Sequence, residues 1–268
     1  MKTLANDFLD ESQALHALVA PLDDAGLKQE TAFKSWTVER VVQHLHVWNM
    51  AALMSLKGDG SFEAYYAQLE SHRRSGGTMG TFEQEWLKGL SGRDLVSAWH
   101  DGITETAERF SQAEPSARVK WAGPDMSARS SITARLMETW AHGQEVYDAL
   151  GVVRRNGDRI RNIVVLGNNT YGWTFKVRGE AAPEPRPHLR LTAPSGDVWL
   201  YNEPSENELI EGLAEEFCQV VTQTRNIGDT KLKVVGVNAQ NWMSKAQCFA
   251  GDAETPPPIG SRMTAVRA

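Results

Sequence analysis

The chain has 268 residues, with 34 acidic and 28 Lys or Arg side chains and a formal charge of −6. That length can bury a real core in one large or two modest domains, and the acid excess argues against a nucleic-acid partner, which calls for a basic face that neutralises phosphates. The two cysteines, Cys218 and Cys248, lie in apolar, helix-like surroundings without zinc-knuckle or CxxC spacing, so they read as buried hydrophobes. The N-terminus "MKTLANDFLDESQ" carries acids where a signal peptide needs an apolar run, and no uncharged 18-residue stretch occurs. The expectation is a cytoplasmic protein with reduced thiols that engages no membrane and no nucleic acid.

The first 150 residues read as helices. Leu4, Phe8, Leu9, Leu15, Leu18 and Val19 recur at roughly helical spacing until Pro21. Thr37 is placed to cap a second helix through "VERVVQHLHVWNMAALMSL", which "KGDG" stops. Shorter helices, "SFEAYYAQLESHRR" and "TFEQEWLKGL", flank the loop "SGGTMG", whose glycines read as loop punctuation without a helix start behind them. A third long helix covers "RDLVSAWHDGITETAERFSQ", and a fourth covers "SSITARLMETWAHGQEVYDALG" and ends at Gly151, a position suited to a left-handed cap. Four long helices with apolar stripes predict a four-helix bundle.

After "GVVRRNGDR" the pattern changes. The helical stretch "IRNIVVLGNNTYGWTFKVRG" precedes a proline-rich linker, and "HLRLTAP" and "DVWLYN" face each other across "SG" as a hairpin would. "ELIEGLAEEFCQVVTQTR" begins as a strand and continues as a helix, "KLKVVG" is a short strand, and "NAQNWMSKAQCFAG" is a terminal helix. The class is therefore α+β, with a helical bundle over 1–157, a small α/β domain over 158–250 and an irregular tail over 251–268 with too little apolar content to fold alone.

The fourth long helix carries Glu138 four residues before His142, so both lie on one face, one turn apart. They sit roughly 100° from the centre of the stripe Ile132, Leu136, Trp140, Tyr147 and Leu150. A surface ion pair and part of a metal site are both compatible with that position. The second helix offers a further ligand: His44 and His46 point in different directions, and His44 lies nearer the stripe of Val41, Leu45, Trp48 and Ala52. Two imidazoles and one carboxylate would leave a fourth position open, as in a catalytic zinc site. His100 with Asp101 is a further pair that could support such a site or lie exposed, and Glu145, one turn beyond His142, is either a base or a surface carboxylate.

The segment "SWTVERVVQHLHVWNMAAL" resembles the metal-binding helix of the DinB-like bundle in the mycothiol-dependent maleylpyruvate isomerase family, where W-T-V-x-x-x-x-x-H-L presents a histidine ligand. "ETWAHGQEVYDALG" is similar to that family's E-x-W-x-H-x-x-D/E helix. The resemblance implies His44, Glu138 and His142 as ligands of a divalent metal, usually zinc. It also implies a sterol-carrier-like C-terminal domain, an arginine from that domain in the active site, for which Arg225 is the candidate, and a low-molecular-weight thiol such as mycothiol or glutathione. On that footing the expected function is a metal- and thiol-dependent isomerase or transferase acting on a small electrophilic substrate, with Glu145 as a further catalytic candidate. Two rivals stay open: a hydrolase or hydratase that activates water at the same metal, and a non-catalytic metal or small-molecule carrier. A small-molecule substrate is the expected partner, and a homo-oligomer is compatible with the sequence.

Overall fold

The computed structural model describes residues 1–264 and divides into two units, Met1–Ala149 and a second from Leu150 onward. Unit one runs through α1 (Lys2–Val19), α2 (Asp24–Leu27), α3 (Val38–Lys57), α4 (Ser61–Arg74), α5 (Met79–Trp86) and α6 (Gly92–Gln112). A two-stranded antiparallel ribbon, β1 (Arg118–Val119) and β2 (Met126–Ser127), then leads into α7 (Ala128–Leu150). No described helix is long and apolar enough to cross a membrane.

The long helices form where their apolar stripes can be covered. In α3 the Thr37 hydroxyl accepts from the Arg40 amide at 3.1 Å, and the chain leaves through Gly58 at φ 66°, so both ends are satisfied as the sequence implies. Val41, Leu45, Trp48 and Ala52 are buried along it. α6 packs against both α1 and α3, with Trp99, Ile103 and Phe110 fully enclosed. α7 is tied to α3 by Arg135, whose Nε donates to Asn49 Oδ1 at 2.9 Å with both side chains buried. Gly151, just past its end, takes φ 69°, the left-handed geometry expected of it.

The "SGGTMG" segment departs from its reading as plain loop. Thr78 accepts from the Thr81 amide at 3.1 Å while the Thr81 hydroxyl accepts from the Thr78 amide at 3.0 Å, a reciprocal cap that starts α5 at Met79. Thr81 stands where the reciprocal partner is usually Glu or Gln, which hides the cap from a pattern search.

Unit two opens with a single 3-10 turn and continues through α8 (Arg161–Asn169), α9 (Tyr171–Lys176), β3 (His188–Thr192), β4 (Val198–Tyr201), β5 (Leu209–Leu213), α10 (Ala214–Val221), β6 (Lys233–Val235) and α11 (Val237–Met243). The sheet order is β4-β3-β5-β6: β3 pairs antiparallel with β4, as the hairpin reading requires, and parallel with β5, while β6 returns antiparallel. Leu189, Leu191, Trp199 and Ile210 are buried on one face of the sheet, α10 packs on β3 and β5, and α8 packs in turn on α10, where Gly167 lies against Phe217 and Val221. On the other face Arg190 pairs with Glu211 at 2.7 Å, and Lys233 reaches the same carboxylate at 3.4 Å.

The terminal helix is shorter than the sequence suggests. α11 stops at Met243, and Cys248 lies beyond it in irregular chain, its amide donating to the Val221 carbonyl at 2.9 Å. Both cysteines are buried as expected, and burial pushes the Cys218 thiol well up. From residue 251 to 264 the chain forms no helix or strand, Pro257 is buried, and polar bonds fasten the segment. Gln223 donates to the Glu254 carbonyl at 3.1 Å, Asn226 to the Pro257 carbonyl at 2.8 Å, and Arg262 to the Gln223 carbonyl at 2.9 Å. Residues 265–268 of the expected tail lie outside the described residues.

Two glycines of unit two should respond oppositely to one added methyl. Gly236 has φ 95°, and a Cβ there would stand 2.1 Å from the Asn207 carbonyl oxygen, whereas one on Gly172 in α9 meets nothing within 4 Å. Gly236→Ala is expected to lower unfolding stability by about 2 kcal/mol or more. Gly172→Ala is expected to raise it by up to ~1 kcal/mol, both read from urea midpoints.

Candidate metal centre

His44 lies on α3, and Glu138 and His142 lie one turn apart on α7. Helix packing brings them together: one ligand atom from each, two imidazole nitrogens and a carboxylate oxygen, lies within 4.8 Å of the others. Glu138 Oε2 is 3.5 Å from His44 Nε2 and 3.4 Å from His142 Nε2. The edge of a tetrahedron with zinc–ligand bonds near 2.1 Å is about 3.4 Å. Two of the three edges thus already have the length that shared ligation asks for, and the donor set of two nitrogens and one oxygen fits a divalent ion. The Glu138 side chain keeps 25% of its surface, and those of His44 and His142 keep 10% and 13%, so the cluster is reachable from solvent on one side.

The electrostatics follow from crowding. Burial pushes the Glu138 carboxyl up, but hydrogen bonds from His142 and His44, helped by the Arg135 charge, hold it well below the carboxylate range. Burial lowers His142, and the opposing Glu138 carboxylate does not restore it. At His44 burial works the same way but is outweighed by two carboxylates, Glu83 and Glu138, so its pKa is raised. The site thus sets the Glu138 carboxylate between two imidazoles whose proton affinities are pushed in opposite directions.

Glu83 is the residue that sequence reasoning missed. It lies on α5 with no solvent exposure. Its Oε1 accepts from Trp48 Nε1 at 2.8 Å and lies 3.0 Å from His44 Nδ1, while its Oε2 pairs with Arg40 Nη1 at 2.5 Å. Burial alone would raise its pKa, but His44 and Arg40 bring it down to about 2. The only sequence signal is a glutamate inside the short helix "TFEQEW", beside an exposed Glu85, and spacing cannot tell the two apart.

The chain before α3 supplies an aromatic wall. Trp36 stacks on His142, with centroids 5.4 Å apart and planes at 11°, and Phe33 meets the same ring edge-on at 5.1 Å. They are presented by a tight turn in which the Trp36 amide donates to the Phe33 carbonyl at 2.9 Å. Its central residues, Lys34 and Ser35, have φ 51° and 53°, a left-handed pair that favours Asn and Gly. The arrangement stores backbone strain beside the site.

The other candidates fall elsewhere. His46 is buried, its ring against Gly102 of α6, so of the two histidines on α3 it is His44 that joins the cluster. The His100 ring lies 4.3 Å from that of His16 of α1, tilted by 35°, and its Nδ1 is 3.8 Å from Asp101, half exposed. Glu145 is not a surface carboxylate: only 1% of it is exposed. Arg225, in unit two, is buried just beyond α10, where its Nη1 donates to the Thr224 carbonyl at 2.8 Å.

Replacing Ser35 by glycine should relieve one left-handed position. Ser35→Gly is expected to stabilise the protein by about 1 kcal/mol in urea unfolding, and a loss of stability would show that the turn is not strained there.

The mycothiol maleylpyruvate isomerase N-terminal domain family matches residues 8–147. Two Mycobacterium tuberculosis proteins, named uncharacterized proteins MT0041 and Rv0036c, are each 34% identical over 245 residues, covering 91% of this chain and 94% of theirs. The crystal structure of the mycothiol-dependent maleylpyruvate isomerase superposes with a TM-score of 0.52 at 17% identity, covering 82% of this chain and 86% of that one. A histidine-to-alanine mutant of that enzyme gives 0.51 at 15% identity over the same shares. At that identity the likeness is one of fold, and it fits the α+β arrangement of bundle and small sheet domain. Matched over more than half its length, the chain belongs to the mycothiol maleylpyruvate isomerase N-terminal domain family.

Proposed function

We propose that the protein is a divalent-metal-dependent enzyme that uses a low-molecular-weight thiol, of the mycothiol class, to isomerise or transfer onto a small electrophilic substrate. The observation that carries this reading is the convergence of His44, Glu138 and His142 from two helices, with nitrogen–oxygen separations of 3.4 and 3.5 Å. Membership in a family whose solved relative is a mycothiol-dependent maleylpyruvate isomerase supports the thiol.

In this reading the three side chains hold the ion, zinc being the metal their donor set suits best. Bound there, it would supply Lewis acidity that lowers the pKa of a thiol or water in its open position. The chain's own part is to present two nitrogen lone pairs and one carboxylate in a fixed arrangement. Trp36 and Phe33 cover the His142 ring and limit water around it. Glu145, buried and one turn from His142, is the candidate to take up a proton, and Arg225 is the candidate cation for an anionic substrate.

Metal per chain, measured on untagged protein, should be near one divalent ion for the wild type and lost in His142→Ala. The cobalt-substituted protein should then develop an intense sulfur-to-metal band on addition of a thiol. Negligible metal in both proteins after reconstitution would remove the reading. Metal without a thiol band would favour a water-activating hydrolase or hydratase at the same ligands.

A further inference from the structure

We propose that Glu83 is a positioning residue for the candidate metal centre: from α5 it holds His44 in the form that carries a proton on Nδ1, leaving Nε2 to face Glu138 and His142. The assignment rests on the metal-site reading above and adds a third helix to it.

The argument is one of donors and acceptors. Glu83 is fully buried, and its ion pair with Arg40 at 2.5 Å keeps it a carboxylate, which can only accept hydrogen bonds. Its Oε1 stands 3.0 Å from His44 Nδ1, so that nitrogen must carry the proton. A neutral imidazole then has its lone pair on Nε2, the atom 3.5 Å from Glu138 Oε2. Trp48 donates to the same Oε1 at 2.8 Å and fixes the oxygen in place. A ring that would otherwise sample two tautomers and two flips is held in the one arrangement that offers Nε2 to an ion.

The brace extends to the second histidine. The Arg40 guanidinium lies over the Trp36 ring at 4.4 Å, and Trp36 stacks on His142 at 5.4 Å. One cation therefore anchors the carboxylate behind His44 and the aromatic ring against His142. Arg40 is one turn before His44 on α3, so both ends of the brace are set by the same capped helix.

Nitrogen NMR of the metal-free wild type, with the His44 ring assigned, tests the first half. The expected result is a proton on Nδ1, and a bare Nδ1 with the proton on Nε2 alone would overturn the assignment. Zinc affinity by competition with a chromophoric chelator tests the second half. Glu83→Gln should weaken binding roughly ten- to hundredfold. Glu85→Gln, on the same helix but with 70% of its side chain exposed, should leave it unchanged. Equal affinities in wild type and Glu83→Gln, or equal losses in both variants, would refute a positioning role. Circular dichroism on each variant separates loss of the site from loss of fold. Should the wild type take up no zinc at all, the metal reading falls, and the NMR result alone decides whether Glu83 sets the tautomer.

Discussion

Burying the Glu83 carboxylate is tolerable only because Arg40, Trp48 and His44 all donate to it. An isolated charge in that place would cost several kcal/mol, and pairing with good geometry offsets the penalty. Its consequences spread outward. The ion pair fixes α5 against α3, the bond to Nδ1 orients His44, and the oriented ring defines where α7 must bring its own two polar side chains. A short helix outside the four long ones thereby becomes part of the site's frame.

The charges around this frame balance in pairs. Arg40 answers Glu83, and the buried Arg135, one turn before Glu138 on α7, contributes its field to both Glu138 and Glu83. The two carboxylates, Glu83 and Glu138, are thus matched by two guanidinium groups, Arg40 and Arg135, and ligation of a divalent ion calls for the neutral form of both histidines. Burial favours the neutral form at both histidines, but at His44 the Glu83 and Glu138 carboxylates outweigh it, which makes the two imidazoles inequivalent although they face the same carboxylate oxygen. The strained turn at Lys34 and Ser35 has the same logic: local stability is given up to hold Trp36 over His142.

Unit two shows a different balance. Its sheet has one apolar face under α10 and one carrying the Arg190, Glu211 and Lys233 row, so alternation along the strands fixes the register. The chain beyond α11 buries Ala246 and Cys248, and side-chain amides, among them Gln223 and Asn226, satisfy carbonyls along it. Polar tail segments can be ordered in this way because each bond replaces one to water at small net cost.

What the sequence determined by itself is whatever repeats locally. The helix ends at Thr37, Gly58 and Gly151, the hairpin of β3 and β4, and the shared face of Glu138 and His142 all follow from caps, alternation and a 3.6-residue period. The choice of His44 over His46 was also legible, since only one of two histidines two residues apart can lie near the buried stripe. Tertiary structure decided the rest. Glu83 is no different from Glu85 by pattern, yet one is fully buried beneath His44 and the other faces solvent, because contact across 39 residues depends on how α5 folds back on α3. Glu145 could not be told from a surface carboxylate until α7 was seen packed. The parallel pairing of β3 with β5 and the stacking of Trp36 on His142 are likewise long-range. A sequence pattern encodes which face of an element is apolar, and only packing settles which polar groups that face meets.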